Sequence, residues 1–168
     1  DALKVTWDDA KAEMRSTPAI AEEYKKIAAS REGAKTFETR GEVAGAFDGD
    51  LTKFAYDFPY LSHAPMEPMN CVAQVDGGKV KLTYGCQGPT MDQMAVGMAL
   101  GVLPGSVEIE TLFAGGSFGR RASPSAEYVV ECARIAKKIG GFKPVKLVWD
   151  REDDMTGGRY RPMVHHDV

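Results

Sequence analysis

The chain has 168 residues and a formal net charge of -3, with 43% hydrophobic and 27% charged residues. This length predicts one domain with a substantial core, and the acidic balance argues against nucleic acid as a partner. No apolar run approaches the roughly 20 residues that a membrane-spanning helix needs. Cys71, Cys86 and Cys132 are widely spaced, which favours buried free thiols over a disulfide framework or a metal site.

The first sixty residues predict short strands and two helices. Thr17 and Pro18 indicate the start of an amphipathic helix, with Thr17 as its N-cap, because proline is favoured in a first helical turn. Alternating apolar residues predict strands, and an aspartate before an apolar stretch predicts a helix cap. These further predictions are strands over residues 3–7, 35–39 and 53–60 and a helix from Asp8 or Asp9 to Arg15.

The middle of the chain predicts a β-hairpin followed by a helix. Residues 69–75 and 80–84 have strand-like sequences, and the acidic, glycine-rich residues 76–78 between them suit a hairpin turn. A helix is predicted over residues 90–100. Its methionines recur at helical spacing and are expected to lie in the core: Met91, Met94 and Met98.

The last third of the chain predicts two strands separated by a helix. The strands are expected over residues 107–113 and 145–149, and the helix over residues 123–138. Strands and helices intermingle along the whole chain without a regular βαβ succession. We therefore predict an α+β fold with a mixed sheet and packed helices.

A glycine-rich stretch from Gly115 to Arg121 lies between a predicted strand and a predicted helix. Its glycines allow positive φ and a close approach of backbone N–H groups to a ligand. Arg120 and Arg121 add guanidinium groups that suit forked hydrogen bonds to phosphate. The stretch predicts a site for a flat, anionic or phosphorylated ligand, with a plain tight turn as the alternative.

Other polar residues lie in predicted turns. Prolines flank His63 and Glu67, and a structural role for Glu67 as an acceptor of backbone N–H groups is favoured over catalysis. Gln87 follows a strand and is able either to donate its amide to a ligand or to cap the turn. His165 and His166 lack carboxylate or cysteine partners at metal-ligand spacing, which disfavours a metal site.

Several of these motifs, taken together and in order, resemble the molybdenum-cofactor-binding subunit of the xanthine oxidase family. The resemblance is to the branch that contains the isoquinoline 1-oxidoreductase beta subunit and related membrane-associated aldehyde dehydrogenases. It covers nearly the whole chain, and several motifs in one order are more specific than any one of them. The motifs span residues 59–73, Gln87-Gly88-Pro89, residues 115–121, residues 150–155 and Gly158-Arg159-Tyr160-Arg161-Pro162.

The resemblance implies a molybdenum hydroxylase that oxidises a small aldehyde or N-heteroaromatic substrate with oxygen derived from water. Its cofactor would be molybdopterin carrying molybdenum, in the cytosine dinucleotide form. Electrons would pass to 2Fe-2S clusters on a partner iron–sulfur subunit. The family also implies a periplasmic or membrane-associated location.

The resemblance also implies roles for individual residues. Gln87 matches the glutamine that hydrogen-bonds a molybdenum oxo ligand, and Arg159 matches an arginine of the substrate pocket, where it would act in catalysis. Arg120 would contact the cofactor or fix the loop. Further positions match the loop whose backbone lies against molybdopterin: Gly115, Gly116, Phe118 and Gly119.

The sequence departs from the family pattern at informative positions. Ala122 stands where xanthine-type enzymes place a purine-binding glutamate, which argues against purine oxidation. The family's general base lies in a Gly-Val-Gly-Glu type motif, and this sequence has none. We therefore expect one domain of a larger molybdopterin-binding subunit, inactive by itself. The alternatives are a non-catalytic binder of a phosphorylated small molecule and an assembly or interaction domain.

Overall fold

The computed structural model describes residues 4–31, 33–42, 45, 47, 49 and 51–168, and within them it contains four α-helices and six β-strands. The chain divides into two compact units. The first comprises the described residues of 1–60 together with Pro162–Val168, and the second is Leu61–Arg161. In the described part of the chain, no helix combines the length and the hydropathy needed to cross a bilayer.

The first unit contains one helix and a two-stranded antiparallel sheet. Helix α1 (Thr17–Ser30) has Pro18 in its first turn, and its C-cap is Arg31, whose φ of 54° is left-handed. The N-cap is Ser16, one residue before the predicted cap. Strand β1 (Ala55–Phe58), within the predicted range, pairs with β6 (Val164–Asp167) at the end of the chain.

Other predictions for the first unit are wrong. Residues 4–7 and 35–39 contain no strand, while residue 3 lies outside the described residues. Residues 8–15 contain a short turn rather than a helix, and the Asp8 carboxylate accepts a hydrogen bond from the Ala10 N–H group at 3.0 Å. All these described residues are exposed, so their apolar side chains have no core against which a strand or helix would be stabilised.

The second unit is built on a four-stranded sheet. Strand β2 pairs antiparallel with both β3 and β5, whereas β3 pairs parallel with β4, so the strand order is β4-β3-β2-β5. The sheet is therefore mixed, and the predicted α+β fold is confirmed. The strands are β2 (Asn70–Asp76), β3 (Lys79–Tyr84), β4 (Val107–Thr111) and β5 (Val145–Val148).

The predicted hairpin is present, because its side chains alternate and its turn contains two glycines. Gly77 and Gly78 have positive φ values of 51° and 85°, a conformation that few other residues adopt without strain. Alternate side chains of β2 and β3 are buried and pack against helix α3 (Glu127–Ile139). These strand residues are Cys71, Ala73, Val75, Val80, Leu82 and Tyr84.

Helix α2 (Pro89–Leu100) is present, but it buries a different face from the one predicted. Its buried residues are Asp92, Val96, Gly97 and Leu100, whereas the methionines are 40%, 56% and 85% exposed in chain order. A Cβ atom at Gly97 would lie 3.0 Å from the Val102 carbonyl oxygen. The segment that follows the helix, near Val102, therefore packs closely against the face that carries Gly97. The methionines lie on the other side and face solvent.

Candidate functional site

The loops that carry the predicted site residues meet at one edge of the four-stranded sheet. Because β3 and β4 are parallel, the loops that follow them, residues 85–88 and 112–121, leave the sheet at the same end. Strand β2 begins at this edge and β5 ends there, since Asn70 pairs with Val148. The segments 61–69 and 149–161 therefore reach the same edge.

The glycine loop has an unusual backbone that its sequence permits. Gly116 and Gly119 have φ values of 102° and 96°, and Phe118 between them is also left-handed, at 55°. A Cβ atom at Gly115 would lie 2.7 Å from the Cβ atom of Glu67, so only glycine allows the loop to approach that close. The Phe118 side chain is 72% exposed.

The backbone N–H groups of the loop divide into two sets. The Gly115 N–H group donates to the Glu67 carboxylate, and the Arg120 N–H group donates to the Ser117 carbonyl at 2.9 Å. Between them, the N–H groups of residues 116–119 have no acceptor within the described part of the chain. Successive unpaired N–H groups in a turn form a concave donor set suited to an anion.

Gln87 is tied to the residue that follows this loop. Its backbone N–H group donates to the Arg121 carbonyl at 3.3 Å, and its side-chain oxygen accepts from the Arg121 N–H group at 3.2 Å. The remaining Nε2 amide group has no protein partner among the described residues. An exposed amide donor is thus available beside the loop.

Arg121 does not face solvent, contrary to the expectation that its guanidinium binds phosphate. Its side chain is fully buried and donates to the carbonyl oxygens of Gly116, Gly85 and Glu67 at 3.2, 3.5 and 3.3 Å. The Glu67 carboxylate lies 3.4 Å from it and completes an ion pair. The guanidinium therefore holds loops together.

Arg120 is also buried, and its partners belong to the protein. The guanidinium pairs with Glu127, lies 4.0 Å from Asp154 and stacks 5.5 Å from the ring centroid of Trp149. Burial would raise the pKa of Glu127, but hydrogen bonds, notably from Ser123, and the Arg120 charge lower it. These contacts favour the loop-fixing alternative for the Arg120 side chain.

Arg159 lies on the segment 149–161, which begins at the same edge, and its side chain is exposed. The next arginine, Arg161, exchanges backbone hydrogen bonds with Leu61 at 2.8 and 3.3 Å, which anchors this segment. His63 lies nearby, its Nε2 atom 3.8 Å from the Cβ position of Gly119. Burial and the charges of Arg120 and Arg161 lower the pKa of His63, so the imidazole is neutral near pH 7.

Residues 25–168 match the family model of the molybdopterin cofactor-binding domain. The chain belongs to this family. The molybdopterin cofactor-binding domain described here is similar to the isoquinoline 1-oxidoreductase subunit beta of Brevundimonas diminuta, with 35% identity over 115 residues, which are 68% of this chain and 14% of that protein. The resemblance stated from the motifs is thereby confirmed.

Two further relatives extend the comparison. A membrane-bound aldehyde dehydrogenase (pyrroloquinoline-quinone) of Gluconacetobacter polyoxogenes is 28% identical over 163 residues, 96% of this chain and 21% of that protein. The crystal structure of quinoline 2-oxidoreductase from Pseudomonas putida 86 matches with a TM-score of 0.52 and 24% identity, over 68% of this chain and 15% of that one. The domain thus spans a small part of each relative and shares the fold of the solved structure.

A polar cluster around the buried Asp92 carboxylate has no counterpart in the sequence predictions. The Asp92 carboxylate accepts hydrogen bonds from the Tyr84 hydroxyl and from the Cys86 thiol, the latter at 3.1 Å. Burial raises the pKa of Asp92, although the two hydrogen bonds oppose it. The available signal was that Asp92 is the one charged residue in the sequence of helix α2.

His165 belongs to the first unit of the domain, and both of its ring nitrogens are within hydrogen-bond distance of carboxylates. Its Nδ1 atom lies 2.7 Å from Asp57 and its Nε2 atom 3.0 Å from Asp167, and the Asp57 hydrogen bond raises the pKa of the imidazole. No metal-binding cluster of His, Cys, Asp and Glu occurs among the residues that the structure describes. His166 packs edge-on against Phe58.

Proposed function

We propose that the loop edge of the second unit binds molybdopterin, and that the domain is part of a larger subunit of a molybdenum hydroxylase. The observation that carries this proposal is that two sets of hydrogen-bond donors without a protein acceptor lie side by side. The N–H groups of residues 116–119 and the Nε2 group of Gln87 are held in one frame by hydrogen bonds to Arg121.

The residues present fit a flat, anionic cofactor. Unpaired N–H groups suit the oxygen atoms of the pterin or its phosphate, and bare backbone at Gly115, Gly116 and Gly119 leaves room for close approach. Phe118 contributes an exposed ring and holds a left-handed backbone, a strain that is common at ligand-binding sites. The buried side chain of Arg120 would fix the loop through its ion pair with Glu127 rather than bind the cofactor.

The chain's own residues would orient ligands around this cofactor. When bound, the molybdenum centre supplies the oxygen-transfer and redox chemistry. Gln87 would donate its Nε2 hydrogen bond to an oxygen of the bound centre, and its Oε1 atom is fixed by Arg121. Arg159 would stabilise negative charge that develops on the substrate, a contribution that often dominates catalysis.

The proposal extends to the complete enzyme. The substrate would be a small aldehyde or an N-heteroaromatic compound, the cofactor the cytosine dinucleotide form, and the electron acceptor a partner subunit with 2Fe-2S clusters. The names of the similar proteins include both an aldehyde dehydrogenase and an isoquinoline oxidoreductase, one of them membrane-bound. A membrane-associated or periplasmic location is part of this proposal.

Gln87→Glu in the full-length protein tests the proposed function. This variant keeps an oxygen for the Arg121 N–H group and removes the amide donor. We expect the wild type to carry molybdenum and cytosine nucleotide and to reduce a dye with an aldehyde or N-heteroaromatic. In the variant, kcat should fall by about 10²–10³, the usual cost of removing one such donor.

Gln74→Glu is the matched control. Gln74 also donates a side-chain amide, but it lies on β2 and its acceptor is the Phe142 carbonyl, at 3.2 Å, outside the loops above. We expect its kcat and metal content to equal those of the wild type. A full-length wild type without molybdenum, from a host that makes the cofactor, would refute the proposal, as would an unchanged rate in Gln87→Glu.

A further inference from the structure

Arg121 and Glu67 connect every segment that carries the proposed cofactor-binding residues. The Arg121 guanidinium donates to carbonyl oxygens of the segments 61–69, 85–88 and 112–121. Its own backbone holds both the N–H group and the side-chain oxygen of Gln87. Glu67 exchanges hydrogen bonds with Gly115, accepting from the N–H group and donating its own N–H to the carbonyl at 3.1 Å.

The two side chains differ in exposure, so Glu67 is the partner that is easier to substitute without disturbing the core. The Arg121 side chain is 0% exposed and that of Glu67 is 35% exposed. Asn70 donates to the other Glu67 oxygen, so the carboxylate is held from both sides. Hydrogen bonds from Asn70 and Gly115, with the Arg121 charge, hold the pKa of Glu67 below its usual range, so it stays ionised at neutral pH.

We propose that Arg121 and Glu67 are positioning residues, which hold the Gln87 amide and the N–H groups of residues 116–119 at the spacing that a single ligand requires. This inference rests on the proposed function. All the hydrogen bonds described for the Arg121 guanidinium go to loop carbonyls rather than to the strands of the sheet. Its hydrogen bonds therefore join these loops to one another.

The spacing of the donors depends on this pair because the Arg121 backbone links Gln87 to the loop, while the Arg121 and Glu67 side chains fix where the start of the loop lies. The hydrogen bonds of Gln87 end at Arg121. Arg121 in turn holds the Gly116 carbonyl, and Glu67 holds the Gly115 N–H group at the start of the loop. Loss of the Glu67 carboxylate would free the first residue of the loop and leave the Arg121 charge buried without its ion-pair partner.

The test compares Glu67→Ala and Glu67→Gln in the full-length protein with its partner subunits. Glutamine keeps an oxygen for the Gly115 N–H group, whereas alanine removes it. In Glu67→Ala we expect molybdenum per subunit and kcat per bound molybdenum to fall by about 10-fold or more, the range typical of outer-shell residues. Glu67→Gln should recover most of both.

Glu110→Gln is the control for a lost carboxylate. Glu110 lies 3.4 Å from Lys81, the same distance as in the Glu67–Arg121 pair, but its side chain is exposed and lies on β4. It should change neither quantity. The double variant Glu67→Ala with Gln87→Glu should lose less kcat per bound molybdenum than the product of the two single losses, because Glu67 acts in part through the position of Gln87.

The outcomes separate this inference from the proposed function. A wild type that carries molybdenum, with Glu67→Ala equal to it in metal content and kcat per molybdenum, would overturn the positioning role and leave the function standing. Multiplicative losses in the double variant would overturn it too. A wild type without molybdenum would overturn both proposals. If Glu67→Ala does not fold, Asn70→Ala removes one hydrogen bond to the carboxylate and must lower the same quantities.

Discussion

At the scale of single residues, the second unit depends on glycines that lie against charged groups. Gly158 has a φ of 73°, and a Cβ atom there would clash with Nη2 of Arg120 and lie 2.6 Å from Oε1 of Glu127. The guanidinium is not free to move aside, since Glu127 and the Trp149 ring hold it in a buried position. The close contact of Gly158 with the Arg120 guanidinium thus packs the segment that carries Arg159 against the end of the glycine loop.

We expect Gly158→Ala to lower the free energy of unfolding by about 2–5 kcal/mol, the sum of a left-handed backbone penalty and an overpacking penalty. Gly101→Ala is the control, because Gly101 has a similar φ of 69° and nothing within 4 Å of its Cβ position. It should cost only about 1 kcal/mol. Urea denaturation of the purified variants measures both, and equal losses would show that the Arg120 contact does not matter.

At the scale of elements, the face of helix α2 that carries the smallest residue is the one that is buried. Both faces of α2 contain apolar residues, so periodicity alone does not select one. The face with Gly97 allows the chain near Val102 to pack closely, and Val96 and Leu100 are buried with it. The larger, flexible methionines remain exposed on the other side.

Substitutions on the two faces of α2 should have very different effects on stability. Met98→Gln replaces a residue that is 85% exposed and should change the free energy of unfolding by less than about 0.5 kcal/mol. Val96→Ala removes two methyl groups from a fully buried site and should cost about 2 kcal/mol. Thermal or urea unfolding gives both values. A larger loss in Met98→Gln than in Val96→Ala would contradict the observed orientation.

The same contrast explains how far the sequence predicts the fold and the site. The hairpin was predictable because alternation and a double glycine are local signals, and the residues of the glycine loop were recognisable from their motif. The strands predicted near residues 5 and 37 failed because no local signal reports whether a sheet partner exists. The role of Arg121 was missed because its partner Glu67 lies 54 residues away, and only tertiary structure brings them together.

At the scale of the whole molecule, the loop edge would provide one open wall of the proposed site. Phe113, just before the glycine loop, and Phe118 within it are 106% and 72% exposed. Ligand pockets usually enclose about 70–90% of the ligand surface. The chain spans 14% of the isoquinoline oxidoreductase subunit and 21% of the aldehyde dehydrogenase, so the relatives contain much more protein from which such a pocket can be built.

We therefore expect the isolated chain of residues 1–168 to fold but to retain no molybdenum through purification and to oxidise no aldehyde in a dye-linked assay. The unpaired N–H groups bind an anion only weakly while water competes for them, because hydrogen bonds gain strength where solvent is excluded. The full-length protein, made in the same host, should retain the metal and turn over. Circular dichroism of the isolated chain separates weak binding from misfolding. Turnover by the folded, isolated chain would show that the open wall suffices, and that the glutamate motif missing from this sequence is not required.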